Sequence, residues 1–583
     1  MAQSNVIGQI DEAIGSFFAQ WNITSTIIAG LLAFVLIYPL FASKDPDTHP
    51  FLLARQAQAS PIRQEGESAT YRSTEIPYGY PLRSGLGIKD PGASKWTTGR
   101  DGDLRDIWRQ TVTGPKKEDG SSTGPTAKVI TVHGVEQVVE HDLSGLTLDI
   151  NVVGKHLGDA GSRKVAVCLS NSVELMCTIF AGAFYSFSPI LVPYSQEPDT
   201  TSNILAVAEF DTLVAEAGTI SLDRVLQRNK SLKRIIWVAK AGNKHLDWNE
   251  VPEGIGGKLD VVTWQDLVEE KKAGSSNEVP PLEKDEALPV YAFWPTKSGN
   301  YELIEYTQKV RTDLTLANVY TDRLQNLIAG VAAVQSSMPR LQKLQPTDSV
   351  LPTSGLNTSY ALCWALLTLF SGSTLILNSV SGPEVDLIAV TKSARQAIKP
   401  TYIIADARAV SRFLNEMTTM AGNSGIGGKY GAWSTARTIS QGYMDVTQSP
   451  SYLPVGLSGL KTFYIAQPDV VERARHVKSS SLASLRLLLG ARVALALTTG
   501  RVAGYVAQTN VFDYRDKGDI CCVGPVAASL ELHLAGDEQE MSKADGVGIL
   551  TVKGPAVTGK GKDKAVLDHI RAKVDSDNTL VLM

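Results

Sequence analysis

The sequence predicts an α/β protein: two doubly wound parallel-sheet subdomains, a small distorted β-barrel after them, and one N-terminal transmembrane helix ahead of them. Three observations carry this. An uncharged apolar run fills residues 21–41, β-branched strands alternate with helical stretches from residue 164 and again from residue 348, and short strands with turn signals follow Arg501.

Residues 1–20 read as an N-terminal tail and residues 21–42 as the anchor. The run WNITSTIIAGLLAFVLIYPLF carries no charge over 21 positions, enough to cross a hydrocarbon core of about 30 Å at about 1.5 Å per residue. Trp21 and Tyr38 suit the interfacial aromatic belts, and Pro39 falls in the last turn, where a broken helix costs least. A cleaved signal peptide fits poorly, because the preceding flank holds Asp11 and Glu12 with no Lys or Arg. A buried core helix is the rival reading. Lys44, Arg55 and Arg63 follow the span, so the positive-inside rule places the C-terminal body in the cytosol, and the expectation is a single-pass protein of the endoplasmic reticulum or a connected membrane. No terminal SKL or KDEL separates that membrane from a mitochondrial or peroxisomal one.

Residues 43–126 are rich in Pro, Gly, Ser and charge and read as an extended linker arm, with one amphipathic helix near residues 103–112. Residues 127–583 form the expected body. Its first alternation is KVAVCLS, a helix opening at Asn171-Ser172, SPILVPY, a helix, DTLVAEA, a helix and RIIWVAK. The second is SVLPTS, a helix, STLILN, a helix near residues 383–397, PTYIIAD, a helix, KTFYIAQ and RVALALT. GYVAQTNVFDYR, SLELHLAG and VGILTVKGPAV are the expected barrel strands. Between the halves, AGNSGIGGKYGAWSTARTIS (421–440) lacks both the GxxxxGK[ST] spacing and a preceding strand, so it reads as a flexible surface loop.

Composition narrows the function. With 56 basic against 60 acidic residues there is no electrostatic footprint for nucleic acid. Cys168, Cys177, Cys363, Cys521 and Cys522 are odd in number, sit mostly in apolar stretches and have no CxxC spacing, so buried reduced thiols are expected rather than disulfides or a metal site.

GILTVKGPAVTG (548–559) is similar to the barrel motif G-E-[IL]-x-V-x-G-P-x-V-x-x-G, and DYRDKGDICCVGPVAASLELHLAG to D-Y-R-x-G-x-x-G-x-P. On these motifs and their order, residues 103–559 resemble the adenylate-forming (AMP-binding) superfamily, specifically the long-chain acyl-CoA synthetases. The resemblance implies a large domain that binds ATP and a fatty acid, and a smaller C-terminal domain that swings in for adenylation and then thioester formation. Attack of a carboxylate on the α-phosphate gathers negative charge, so that chemistry needs backbone N–H groups, a Lys and Mg²⁺.

Each requirement meets a departure. The phosphate loop T-S-G-T-T-G-x-P-K-G corresponds to WPTKSGNYELIEYTQK (294–309), which keeps Ser298, Gly299 and the trailing Thr307 but places Tyr301 and Glu302 at the Pro and Lys positions. A carboxylate replacing a cation about 4 Å from phosphate costs several kcal/mol at an effective dielectric of about 20. Lys297, Ser298 and Gly299 are left as a weak anion nest or as a polar surface turn. The Y-G-x-T-E element corresponds to LALTT (495–499), with Thr498 kept and Leu495 and Thr499 replacing the adenine stack and the Mg²⁺ carboxylate. The P-L-x-H segment corresponds to SGLNTSYALCW, which makes Thr358 and Tyr360 the candidate substrate-pocket residues, with helix-cap and core roles as the alternative. After GPAVTG no T-G-D motif, hinge or second domain is recognised, and Asp563, Asp568 and Asp575 look solvated rather than ribose-binding. No catalytic residue and no metal ligand is assigned; the nucleotide-site positions are Ser298, Gly299, Thr307 and Thr498.

Residues 310–325 (VRTDLTLANVYTDRLQ) interrupt the resemblance: without them the flanks join as EYTQK-NLIAGVAAV, close to L-T-H-x-N-L-x-A-G. Val-Arg, Ala-Asn and Gln can be encoded as GTAAGA, GCTAAC and CAG, so the segment is either an unspliced intron or an amphipathic insertion.

Three functions remain. The favoured one is a membrane-anchored acyl-CoA-synthetase-like protein with degraded ATP and Mg sites that binds a lipid, an acyl-CoA or a protein partner. The alternatives are an active long-chain fatty acid–CoA ligase, for which alone ATP, Mg²⁺ and CoA would be cofactors, and a structural membrane scaffold. The expected partners are the lipid bilayer, a fatty acid or acyl-CoA, and a protein, with nucleic acid excluded.

Overall fold

Parallel strands are covered on both faces, so they read as continuous apolar runs, and the computed structural model places each such run in a sheet. The structure describes residues 21–42, 45–89, 99–115, 126–133, 137–194, 197–239, 259–281, 287–308, 325–379, 385–390, 399–422, 426–446, 459–470, 475–543, 545–559 and 563–583, with a few isolated positions besides. Most of residues 310–325, and of the helix expected at 383–397, lies outside the described residues.

The first sheet runs, in spatial order, Tyr301–Tyr306, Val290–Pro295, Ser188–Leu191, Lys164–Cys168, Thr212–Glu216, Arg234–Val238 and Asp260–Thr263. Its pairings are parallel except at the Tyr301–Tyr306 edge, which forms an antiparallel hairpin with Val290–Pro295. The second sheet runs Val502–Gln508, Arg492–Thr499, Thr462–Pro468, Tyr402–Asp406, Ser349–Pro352, Thr374–Asn378, Lys128–His133 and Gln137–His141, antiparallel only at its two edges. The third is antiparallel: Ala57–Ala59, Tyr71–Ser73, Glu531–Ala535, Gly548–Lys553, Lys564–Val574, Leu580–Leu582 and Cys521–Gly524. Its register shifts between Ile549 and Leu550, a bulge, and its two outer strands do not pair with each other among the described residues.

One hydrophobic core joins the three sheets. At its centre lies Ser359–Phe370, with all twelve residues buried, as expected of a helix that is apolar on every face. Asn326–Ser337 packs beside it, with nine of its residues buried.

Several expectations change. Among the described residues of the expected linker arm, 43–126, several segments are built into the body. Ala57–Ala59 and Tyr71–Ser73 are strands of the third sheet, and Leu104–Thr113, started by a capping box between Asp103 and Asp106, buries Leu104, Ile107 and Trp108. The Trp108 ring lies 4.8 Å from that of Phe180. Strand Val502–Gln508 was expected in the barrel; it follows a tight turn and pairs back onto Arg492–Thr499. Lys128–His133 belongs to the second sheet through its parallel pairing with Thr374–Asn378, although it precedes the first alternation in sequence. Within the stretch read as a flexible loop, Ile426–Ser440 is a helix in spite of three glycines. Ile439 at its end is buried with Met444 and Tyr514, and that tertiary packing outweighs a cost of about 1 kcal/mol per glycine.

Ile23–Ala42 forms a helix of 20 residues. Its side chains are described from Ile23 to Phe34, a stretch of about 18 Å, against a hydrocarbon core of about 30 Å. Among the described residues no helix is long and apolar enough to cross a membrane. Ile23, Ile27, Ile28, Leu31, Leu32 and Phe34 are all exposed.

Candidate functional site

Open α/β sheets bind ligands outside the carboxyl ends of their strands, so the candidate site lies where those ends meet. Asn171, at the end of Lys164–Cys168, is buried. Its Nδ2 donates to the Pro352 and Ser354 carbonyls at 3.1 and 2.9 Å, and its Oδ1 accepts from the Leu356 N–H at 2.9 Å. This amide staples the end of the first sheet's strand to the end of Ser349–Pro352 in the second. The sequence marks Asn171 only as a residue beside a helix start, and Ser172 is indeed the N-cap, accepting from the Leu175 N–H.

A second junction brings in the third sheet. Trp294, near the end of Val290–Pro295, donates its indole N–H to Asp469 Oδ1 at 3.0 Å, and His569 Nε2 lies 2.9 Å from Asp469 Oδ2. Asp469 follows the strand Thr462–Pro468, and its N–H donates to the Thr498 carbonyl at 2.9 Å. Gly500 is pressed against the indole: a Cβ there would stand 2.7 Å from the Trp294 ring, so only glycine fits this turn. Thr558, from the GPAVTG motif, straps the same turn by donating its hydroxyl to the Gly500 carbonyl at 2.8 Å and its N–H to the Arg501 carbonyl at 2.9 Å. The hydrogen bond to Asp469 raises the pKa of His569 above the ordinary imidazole value, while Asp568 and Lys297 act from the rim.

The nucleotide-site positions do not converge. Ser298 and Gly299 are exposed at the hairpin tip. There Thr296 N–H donates to the Asn300 carbonyl at 2.8 Å and Gly299 N–H to the Thr296 carbonyl at 3.0 Å, with Gly299 at φ 80°. These two backbone donors close a turn. Lys297 reaches the His569 carbonyl at 3.3 Å. Thr307 is buried beyond the far end of the six-residue strand, about 20 Å away, with its N–H on Asn326 Oδ1 at 2.9 Å. Thr498 lies inside the junction, buried beside Thr499. Glu302, opposite Trp294 in the hairpin register, pairs with Arg501 at 3.0 Å, so this carboxylate has its own partner.

Thr358 sits at the N-cap position of Ser359–Phe370, its hydroxyl donating to the Gly355 carbonyl at 2.8 Å. Tyr360 is fully buried and donates to Gln508 Oε1 at 2.7 Å. Its ring stands edge-on to Trp364 at 6.4 Å and Tyr505 at 6.1 Å, and Trp364 packs on Tyr464 at 4.4 Å. The aromatic cluster packs Tyr360 into the core. Beside it, Met176, Phe180, Leu356 and Leu366 enclose a gap of about 10 Å³, room for a water at most and not for an acyl chain. Asp568 and Asp563 are open to solvent as expected, Asp563 approaching Lys553 at 3.7 Å, whereas Asp575 is half-buried and pairs with Lys517 at 2.9 Å. No cluster of metal-ligating side chains occurs among the described residues.

With this geometry in hand, solved structures supply the comparison. An adenylation domain of a keto acid-selecting NRPS module bound to keto acyl adenylate superposes with a TM-score of 0.56 at 11% identity, covering 86% of this chain and 82% of that one. The chain has the fold of adenylate-forming enzymes. The anthranilate CoA ligase AuaEII with anthranoyl-AMP gives a TM-score of 0.55 at 12% identity over 82% and 76% of the two chains. A long-chain-fatty-acid-CoA ligase from Archaeoglobus fulgidus gives 0.53 at 14% over 86% of each. No protein-family profile matches the chain. By sequence it is similar to an uncharacterized protein of Saccharomyces cerevisiae, YHR045W, 22% identical over 551 residues, which is 88% of this chain and 86% of that protein.

Proposed function

We propose that this chain is a membrane-held, acyl-CoA-synthetase-like protein that has given up adenylation and works by binding a lipid, an acyl-CoA or a protein partner. The single observation that carries the reading is the Trp294–Asp469–His569 junction, in which side chains from all three sheets bond to one another beside the carboxyl ends of Val290–Pro295 and Thr462–Pro468, the end at which open α/β sheets receive ligands. Glu302 at the phosphate-loop Lys position and the neutral Thr499 at the Mg²⁺ position point the same way. Losing one strong electrostatic contact costs roughly 10²- to 10³-fold in rate, and groups that act as a unit leave little activity once several are gone. The likeness to CoA ligases supports the kinship of fold, and the packed ring cluster around Tyr360 favours recognition at the surface over a deep acyl tunnel.

Membrane attachment through residues 21–42, in the endoplasmic reticulum or a connected membrane with the body cytosolic, is part of the proposal. It is supported by the uncharged helix Ile23–Ala42 and by Lys44, Arg55 and Arg63 after it. Carbonate extraction should leave the protein in the pellet, and protease added to sealed vesicles should remove the C-terminal body. The catalytic half is tested by pyrophosphate release from MgATP with purified full-length protein and palmitate or oleate. No fatty-acid-dependent release is expected; robust release would establish the ligase alternative.

A further inference from the structure

The short helix Pro50–Ala54 (PFLLA) has no buried residue. Phe51 is 78% and Leu52 63% exposed, so the most apolar turn of this region lies on the surface without reaching the core. Just before it, Asp47 is fixed to the body: its carboxylate meets Arg492 Nη2 at 3.1 Å and accepts from the Tyr514 hydroxyl, and its N–H donates to the Gly442 carbonyl at 2.9 Å. Asp47 is five residues beyond Ala42, the end of the apolar helix, a reach of at most about 18 Å. The body face around Asp47 therefore stays within that distance of wherever the helix ends.

A second element leads to the same anchor point, since Gly442 accepts from the Asp47 N–H. Helix Ile426–Ser440 ends two residues before Gly442, and Trp433 lies about 10 Å back along its axis, 56% exposed with the Arg437 guanidinium 5.8 Å from its ring. An exposed Trp with Arg beside it, and an exposed Phe-Leu pair with Arg55 beside it, are combinations that seat at a lipid headgroup boundary, rings and aliphatic chains inward and cations among the phosphates.

We propose that Phe51, Leu52 and Trp433 form a docking face that lies in the headgroup layer of the bilayer holding residues 21–42, so that the body rests on the membrane in one orientation set by Asp47 and Arg492. This rests on the anchoring proposed above and adds a second contact to it. The occupant is the phospholipid surface, because the chain between the helix and Asp47 is too short to carry this face away from it.

The test uses full-length protein in liposomes containing brominated phospholipid, with the Trp433 signal taken as the difference between the unmodified protein and Trp433→Phe, and the Trp21 signal from Trp21→Phe. The Trp433 signal should be quenched, and a Phe51→Ser/Leu52→Ser double variant should lose that quenching while keeping its thermal midpoint, since both side chains are exposed. Quenching of Trp21 without quenching of Trp433 would overturn the docking face and leave the anchor standing. Quenching of neither would overturn both, and quenching of Trp433 that survives the double variant would remove Phe51 and Leu52 from the contact.

Discussion

Trp294 and Asp469, 175 positions apart in the chain, meet through an indole N–H and a carboxylate oxygen at 3.0 Å, and Gly500 lies under the indole because no larger residue fits there. Removing the ring should empty the junction and strand a buried carboxylate oxygen. Trp294→Ala should therefore cost about 3–5 kcal/mol in urea denaturation, and Gly500→Ala about 1–3 kcal/mol. The two are coupled: in the Trp294→Ala background, Gly500→Ala should cost clearly less, giving a non-zero interaction energy in the double-mutant cycle. Additive effects would mean that Gly500 is constrained by something other than the ring.

Two histidines predict opposite pH limbs. His569 has a folded pKa raised by its hydrogen bond to Asp469, so its stabilisation is complete below the unfolded imidazole value of about 6.5 and is lost as pH rises through the raised value. His156 is held neutral by burial, its pKa lowered to about 4, so its contribution is complete above about 6.5 and is lost as pH falls toward about 4. The thermal midpoint of His569→Gln should fall less than that of the unmodified protein on the alkaline side, and His156→Gln should flatten the acidic side. Parallel profiles for variant and parent would remove these residues from the pH response.

The ends of the interrupting segment adjoin. Gln325 Nε2 donates to the Gln308 carbonyl at 3.3 Å, and Thr307 N–H reaches Asn326 at 2.9 Å. Deleting residues 310–325, which joins Lys309 to Asn326, should therefore leave a cooperatively folding protein. Shortening the closed loop should stabilise it by up to about 2 kcal/mol. Loss of the cooperative melt on deletion would show that the segment is an integral part of the fold.

Arg492 and Asp47 are both nearly buried, so breaking their pair leaves a charge without its counterion. Asp47→Ala should cost about 3 kcal/mol in chemical denaturation. Arg492→Met together with Asp47→Ala should recover part of that loss, since an apolar pair avoids the stranded guanidinium. A double variant as unstable as the sum of the singles would contradict this.

Legibility from sequence followed locality. Strands such as KVAVC, RIIWV and TLILN are buried on both faces and declared themselves as apolar runs, whereas Ala57–Ala59 and Tyr71–Ser73 are only three residues each and take their pairing from Glu531–Ala535, far along the chain. The helix Ile426–Ser440 was hidden by its glycines, because its support comes from packing that no local propensity reports. Of the candidate site, the sequence singled out Thr498, inside the junction, and Glu302, opposite Trp294, but not Asp469 and His569. Those two are 100 positions apart, and neither sits in a recognisable motif.

The attachment of Asp47 to Arg492 also sets a load path. Tension applied along residues 21–42 enters the body at Asp47 and passes to Arg492, the first residue of the strand Arg492–Thr499. That strand is bonded in parallel to Thr462–Pro468 from Thr462 opposite Arg492 to Pro468 opposite Thr498. A pull along the strand axis therefore strains the whole ladder in shear, all its hydrogen bonds sharing the force, instead of peeling them open one at a time.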